Sequence, residues 1–479
     1  MNKTELFIFI IYLMFMLGIG VFFFLKSKSG GEKNYFLGNR EMGPWVSALS
    51  AGASDMSAWV LMGLPASIYV YGLGKAWIAI GLAIGYALAW IFVAPRLRRF
   101  SIAANDSITI PQFLTNRFKS KSKALQIICA VIFLVAYTVY AASSLKACGT
   151  LFNTVIGIDA KVAMYISALI IVGYTFLGGF SAVCWTDFFQ GLLMLAALLA
   201  APIFALNTIG GAASEAVELP ENYYKLFTNF KDVISGLGWG LGYFGMPHII
   251  VRFMAVRSEK DVKKSAVIGI GWNVLIVIFS VAAGCVGRLL LGDISDSSTV
   301  FIQMVRRLFP AVISGVLLSA ILAASMSTAD SQLLASASAF ASDVYKPVIR
   351  KNKAGDSEMQ WAGRIVVLVI SVIALIIASS ENCGSIMDLV ENAWGLFGAA
   401  FSPVIILALF DRRLTFNGAV AGIVAGALTD ALWLAFLSGT GIYEIIPGFI
   451  VGLIVAFVVS RLDKAPSKEI TDMFDQVNS

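Results

Sequence analysis

The chain has 479 residues, 58% of them hydrophobic and only 13% charged. A soluble protein would carry roughly 25% charged residues. Apolar stretches of about 20 residues recur along nearly the whole length, which excludes a soluble core with a single anchor and marks a polytopic helical membrane protein in a lipid bilayer. Thirteen hydrophobic spans are expected, at about 5–25, 42–74, 75–97, 124–152, 160–180, 186–209, 231–254, 265–292, 310–341, 361–380, 386–410, 417–438 and 442–462. The first lacks a basic leading region and a small-x-small cleavage site, so it is expected to be a span and not a signal peptide. The short alternating segments of a membrane barrel are absent from the sequence.

Basic residues cluster in alternate connections. Lys26, Lys28, Lys33 and Arg40 follow span 1; Arg96, Arg98, Arg99, Arg117, Lys119, Lys121 and Lys123 follow span 3; Arg257, Lys260, Lys263 and Lys264 follow span 7. Lys346, Arg350, Lys351 and Lys353 follow span 9, and Arg412 and Arg413 follow span 11. The intervening connections are acidic or nearly neutral, with Glu215, Glu218 and Glu221 after span 6, Asp293 and Asp296 after span 8, and Glu381 after span 10. This asymmetry predicts an outside N-terminus and a cytoplasmic C-terminus. It also accounts for the net charge of +6 without a nucleic-acid partner. Cys129, Cys148, Cys184, Cys285 and Cys383 have no CxxC spacing and read as small buried apolar residues. The charged tail after Arg461 is too short for a soluble catalytic domain.

Spans 2 and 7 differ from the rest. Span 2 carries "SAGASDMSAW", residues 50–59, with Asp55 among small residues. Span 7 carries "GLGWGLGYFGMPH", with five glycines and then Pro247. Glycine and proline weaken or break a helix. Non-helical backbone at membrane depth persists only where it is buried in protein or lines a wet cavity. Each interrupted span would open a block of five, 2–6 and 7–11. Paired interruptions in corresponding positions point to a transporter's binding site; the bland alternative is close helix packing. Gly240-Leu241-Gly242-Tyr243-Phe244-Gly245 matches a dinucleotide fingerprint, but it lies inside a membrane span with no preceding strand, so it is rejected.

Four longer motifs are more specific: "SALSAGASDMSAWVLMGLP", "YTFLGGFSAVCWTD", "GWGLGYFGMPHIIVRFMA" and "LLSAILAASMSTADSQLL". With the closing "YEIIPGF", they closely resemble the bacterial sodium/proline symporters of the sodium:solute symporter family, in order from about residue 5 to 462. The resemblance implies a leucine-transporter-type inverted five-plus-five repeat, alternating access, and sodium-driven uptake of L-proline across a bacterial plasma membrane. The expected organisation is an extra N-terminal helix and basic loop (1–41), a first repeat (42–210), a second repeat (211–411), and two C-terminal helices with a short tail (412–479).

Sodium is a hard cation that wants oxygen ligands. By the resemblance, its ligands are the carbonyls of Ala53, Met56 and Ala324 and the hydroxyls of Ser327 and Thr328. From spacing alone, the span 9 hydroxyls could equally bond back to their own helix. Asp55 is expected to support sodium binding or coupling; it could also cap the half-helix that follows. Ser57, Ala58, Trp59, Tyr140, Trp239, Tyr243 and Pro247 match the family's substrate positions. A zwitterionic imino acid needs donors for its carboxylate, acceptors for its amine and apolar walls for its ring, and aromatic faces suit that ring. Two positions depart from the pattern: Ala58 stands where proline transporters often have glycine, and Met246 where they often have glutamine. The alternative is a sodium or proton symporter for another amino acid or a compatible solute.

Asp187 begins span 6, and Asp330 lies three residues beyond Ser327 on a similar face of span 9. With Ser331 they are expected to form a second cation site or a sodium exit path; two close acids could instead share a proton, or Asp330 could pair with a loop arginine. His248, the only histidine, reads as a hydrogen-bonding residue at the broken span rather than a proton relay. A channel would need a ring of filter residues. A sensor would need a signalling domain, and an enzyme would need a catalytic constellation. None of these is visible, and no organic cofactor is expected.

Overall fold

In lipid, a chain must satisfy its backbone polar groups internally, and an apolar helix does so within one segment. The computed structural model describes residues 3–26, 31–211, 219–380 and 382–478. Lys28, Glu215, Glu218 and Glu381, used above for orientation, lie outside the described residues, as does the side chain of Lys26. Among the described residues there are nineteen α-helices, with only an isolated backbone bridge between Met42 and Val256 in place of any strand.

In chain order the helices are α1 (Lys3–Lys26), α2 (Glu32–Leu37), α3 (Pro44–Asp55), α4 (Gly63–Tyr71), α5 (Ala76–Leu88) and α6 (Ala94–Ala103). Next come α7 (Ile110–Arg117), α8 (Ala124–Ile156), α9 (Ala160–Gly211), α10 (Phe230–Gly238), α11 (Pro247–Ala255) and α12 (Glu259–Leu291). The last are α13 (Val300–Leu308), α14 (Ala311–Ser338), α15 (Asp356–Ala378), α16 (Ile386–Phe410), α17 (Phe416–Phe436), α18 (Ile445–Leu462) and α19 (Lys468–Asn478).

Ten segments are long and apolar enough to cross a membrane, by length and composition. They coincide with ten of the thirteen expected spans. The other three are the short apolar helix Ala160–Phe176 and the two interrupted spans. An interrupted span falls below a length test because it is two half-helices. Span 2 divides into α3 and α4, and span 7 into α10 and α11. Spans 5 and 6 are joined through α9, which kinks at Gly179 (φ 61°, ψ −162°), a conformation essentially restricted to glycine.

Burial separates centre from rim. The most apolar windows of the helices containing α14 and α16 are 78% and 83% buried inside the protein, against 22% for α1 and 28% for α17. The first pair therefore forms the interior, and the second presents its apolar surface to lipid. Gly81 and Gly85 of α5 mesh with Gly236 and Gly240 of the second broken span. A Cβ on Gly85 would sit 2.5 Å from the Gly240 Cα, and one on Gly81 would sit 2.8 Å from the Leu237 Cα. Four-residue glycine spacing on both partners is the means by which membrane helices bring backbones into contact. The broken spans also meet directly: Met42 N donates to Ala255 O (3.2 Å) and Arg257 N to Met42 O (3.1 Å). The start of one is thus tied to the end of the other.

A candidate ion and solute site between two helix breaks

The first break is a tight turn with a defined consequence. Met56 adopts φ −77°, ψ 72°, and Ser57 N donates to Asp55 O (2.8 Å), an inverse γ-turn. A continuous helix would send the Ser57 amide to Ala53 O and the Val60 amide to Met56 O. Val60 N instead donates to Ser57 O (3.1 Å). Both carbonyls named from the family resemblance are thereby released from helix bonding. Ser57 is extended (ψ −173°), and its Oγ accepts from Trp59 N (3.4 Å). Ser57, not Asp55, therefore caps the short 3-10 turn Ala58–Val60 that follows.

The second break is a 3-10 segment, Trp239–Phe244, followed by Gly245 and an extended Met246. Pro247 then takes the first position of α11, where its missing N–H costs nothing. The two breaks are joined through Asp55, whose carboxylate accepts a hydrogen bond from Tyr243 OH. Asp55 is 1% exposed, so this partner is what makes its burial tolerable. Tyr140 OH lies 3.5 Å from Asp55 O.

Helix α14 faces the first break with the expected hydroxyls. Ser327 Oγ lies 2.8 Å from Ala53 O and 3.2 Å from Ala324 O. Thr328 Oγ1 is buried and has no hydrogen-bond partner. Carbonyls freed by a break and an unmet buried hydroxyl are the donor set a hard monovalent cation takes. The structure joins Ala53, Ala324 and Ser327 directly; Met56 and Thr328 are fully buried beside them in sequence.

Aromatic rings cluster beside the breaks. Trp59 and Trp239, one from each broken span, lie 6.0 Å apart between ring centroids. Trp239 also stacks with Trp394 (6.4 Å) and lies 5.1 Å from Tyr443, while Tyr243 meets Tyr86 (5.1 Å) and Trp394 (5.2 Å). Ala58 is buried in the 3-10 turn. Pro247 lines a small cavity with Val251, Arg252 and Ser331. His248 is held by Tyr137: its Nδ1 lies 3.1 Å from the Tyr137 hydroxyl, which accepts from the His248 amide at 2.8 Å.

Asp187, Asp330 and Ser331 gather around a residue the sequence reading passed over. Arg252, on α11, is 2% exposed. Its Nη2 donates to Asp187 Oδ2 (2.9 Å) and Ser331 Oγ (2.5 Å), its Nε to Ser50 Oγ (2.8 Å), and its Nη1 to the His248 carbonyl. Ser50 Oγ donates to Asp187 Oδ2 (2.6 Å). Asp330 accepts from Tyr174 OH (2.7 Å) and Ser331 Oγ (3.1 Å). The arginine in this group is thus a helix residue bonded to Asp187, not a loop residue bonded to Asp330. An arginine inside the apolar run "PHIIVRFMA" was the available signal, since an intramembrane charge marks a functional position by default. Trp394 and Tyr443 carried no comparable signal, because single aromatics in membrane spans usually face lipid or the interface.

An all-helical membrane chain with two facing helix breaks, freed carbonyls and a buried aromatic cluster between the breaks defines the class of helix-break secondary transporters. Within it, the chain belongs to the sodium:solute symporter family, whose family model matches residues 35–426. It is therefore related to symporters and not to enzymes. It is 44% identical over 469 residues to the high-affinity proline transporter PutP of Bacillus subtilis, covering 96% of this chain and 98% of that protein. It is 42% identical over 475 residues to the osmoregulated proline transporter OpuE of the same organism, covering 97% and 96%. A sodium/proline symporter of Staphylococcus aureus is 42% identical over 473 residues, covering 95% and 92%. The fold is similar to that of a Na+-coupled sialic acid symporter solved in a substrate-bound outward-open state, with a TM-score of 0.79 at 20% identity over 97% of this chain and 99% of that one. It is also similar to Mhp1, a nucleobase-cation-symport-1 family transporter, in a closed conformation with bromovinylhydantoin bound (TM-score 0.58, 15% identity, 92% and 98% covered).

Proposed function

We propose that this protein imports L-proline together with sodium by alternating access, with sodium held by the Ala53, Met56 and Ala324 carbonyls and the Ser327 and Thr328 hydroxyls. The observation that carries the proposal is the pair of carbonyls freed at the first break opposite Ser327 and the unmet Thr328 hydroxyl. The names of the most similar relatives support proline as the solute. On this proposal, sodium replaces the hydrogen bonds that Ser327 now makes and draws α14 onto the break. Ser57, Ala58 and Trp59 follow directly in the chain, so the same movement sets the solute segment. The proline ring lies among Trp59, Tyr140, Trp239 and Tyr243, and Pro247 starts the inner half-helix beyond them. Asp55 acts as a support rather than a direct ligand, because Tyr243 holds its carboxylate.

We assign thirteen spans, with residues 42–210 and 211–411 as inverted repeats and residues 1–41 and 412–479 outside them. The basic connections face the cytoplasm, the N-terminus the outside. The Asp187–Asp330–Ser331 group is a sodium exit path rather than a second resting site, because the Arg252 guanidinium already bridges Asp187 and Ser331. The deciding experiment is uptake of labelled proline into proteoliposomes under an imposed sodium gradient and, separately, a proton gradient. Sodium-driven proline uptake is expected. Uptake of a different solute only would overturn the substrate, and uptake driven by protons alone would overturn the coupling ion.

A further inference from the structure

Of the motif "YEIIPGF", Tyr443 stands beside Trp239, but Glu444 has no place in the transport site just described, yet is only 7% exposed. It precedes α18 and faces Asp430 of α17, itself 3% exposed. Asp430 Oδ1 and Glu444 Oε1 lie 3.0 and 3.2 Å from the point where a Cβ on Gly395 of α16 would sit. The two oxygens therefore converge on one small space that only a glycine leaves open. Neither has a hydrogen-bond partner. The neighbouring donors are committed elsewhere: Tyr443 OH donates to Glu391 O (2.9 Å), Trp433 Nε1 to Ile442 O (3.1 Å), and Lys75 Nζ to Asp232 (3.2 Å). Glu444 also borders a cavity of about 540 Å³ that is lined by Asp232, Asp388 and Glu391 and reaches Trp239. Two buried carboxylates side by side repel strongly unless a positive charge lies between them.

We propose that Asp430 and Glu444, with Gly395 leaving the space between them, bind one sodium ion at the mouth of the transport path. Water from the cavity completes the coordination that a hard cation requires. The choice of sodium rests on the sodium-coupled function proposed above; the geometry by itself calls for one monovalent cation. The ion neutralises the pair, and the cavity, where Lys75 is paired with Asp232 and acids outnumber it, raises the local sodium concentration above the inner cage, as a net negative cleft does.

Equilibrium binding of radioactive sodium to the purified full-length protein, without solute, tests this. The unaltered protein is expected to bind two equivalents, and the double variant Asp430→Asn with Glu444→Gln only one. Thr328→Ala is expected to lose the other equivalent. Gly395→Ala keeps both charges but fills the space, so it is expected to behave as the double variant does and covers the case in which that variant fails to fold. In uptake, either change is expected to raise the half-saturating sodium concentration by about tenfold. An unchanged sodium count in both variants would overturn the proposal, as would a single equivalent in the unaltered protein that the double variant keeps and Thr328→Ala loses, which is the result for a pair that shares a proton. No sodium binding at all would overturn the sodium-coupled function as well.

Discussion

At the scale of single residues, the site is built from groups whose ordinary partners have been withdrawn. Thr328 carries a buried hydroxyl with no partner. Polar groups buried in this way are uncommon and call for an explanation such as an ion. Thr328→Ala is therefore expected to raise the half-saturating sodium concentration about 10- to 100-fold, the equivalent of one lost bond to a charged group, while Thr328→Ser retains most of the affinity. The sodium dependence of proline uptake is the measurement. Asp55 and Tyr243 make a second residue-scale case. Tyr243→Phe leaves the buried carboxylate without its hydroxyl donor, which costs about 1–3 kcal/mol. Its sodium dependence is expected to shift in the same direction as that of Asp55→Asn. If Asp55→Asn transported with unchanged sodium dependence, the carboxylate would have no part in coupling.

At the scale of elements, the two interruptions do opposite jobs with the same tools. In span 2, small residues end α3 and an inverse γ-turn turns carbonyls out of the helix. In span 7, glycines give a 3-10 segment and Pro247 restarts the helix. Part of the glycine content serves packing and not the break. Gly236 and Gly240 lie against Gly81 and Gly85 with backbones in contact, so the close-packing alternative holds for these positions alongside the break. Gly81→Val and Gly240→Val are expected to lower stability by about 1–3 kcal/mol or more through overpacking. A lowered thermal transition of the detergent-solubilised protein would register this, whereas Gly43→Val, where no atom lies within 4 Å of the new Cβ, serves as the control. The interruptions were legible in the sequence because glycine, proline and a lone acid inside an apolar run each break a local rule. The capping role of Ser57 was not, because it depends on the extended conformation that the turn at Met56 imposes.

At the scale of the whole molecule, the cavities are unequal. The one bordered by Lys75, Asp232 and Glu444 holds about 540 Å³, and the one bordered by Pro247, Arg252 and Ser331 about 20 Å³. Arg252 lines the second. It bonds Ser50 one turn before Ala53, and Ser331 one turn after Ser327, and so ties together the two helices of the proposed cage. Removing one member of a buried ion pair costs about 3–5 kcal/mol because the other charge is stranded. Arg252→Gln is expected to abolish sodium-driven uptake, and Arg252→Lys, which keeps the charge but loses the planar fork, to retain part of it. Uptake as fast as that of the unaltered protein in both variants would show that charge and fork are both dispensable there.

By itself, the sequence determined that the chain is a helical membrane protein, where ten long apolar helices lie, and that two further apolar stretches are interrupted. These follow from composition, from segment length set by the bilayer, and from local rules that glycine, proline and charge obey within a few residues. It also supplied the ion-cage candidates, because they fall in two short runs, "GASDMS" and "AASMSTADS". Only the tertiary structure decided that Asp55 is held by Tyr243, 188 residues away, and that Asp187 is held by Arg252, 65 residues away. The same is true of Trp394 beside Trp239, and of Asp430 and Glu444 meeting over Gly395. Each of these pairings joins helices that are distant in the chain. No periodicity or local preference carries which face of one helix meets which face of another; that is settled when the whole bundle packs.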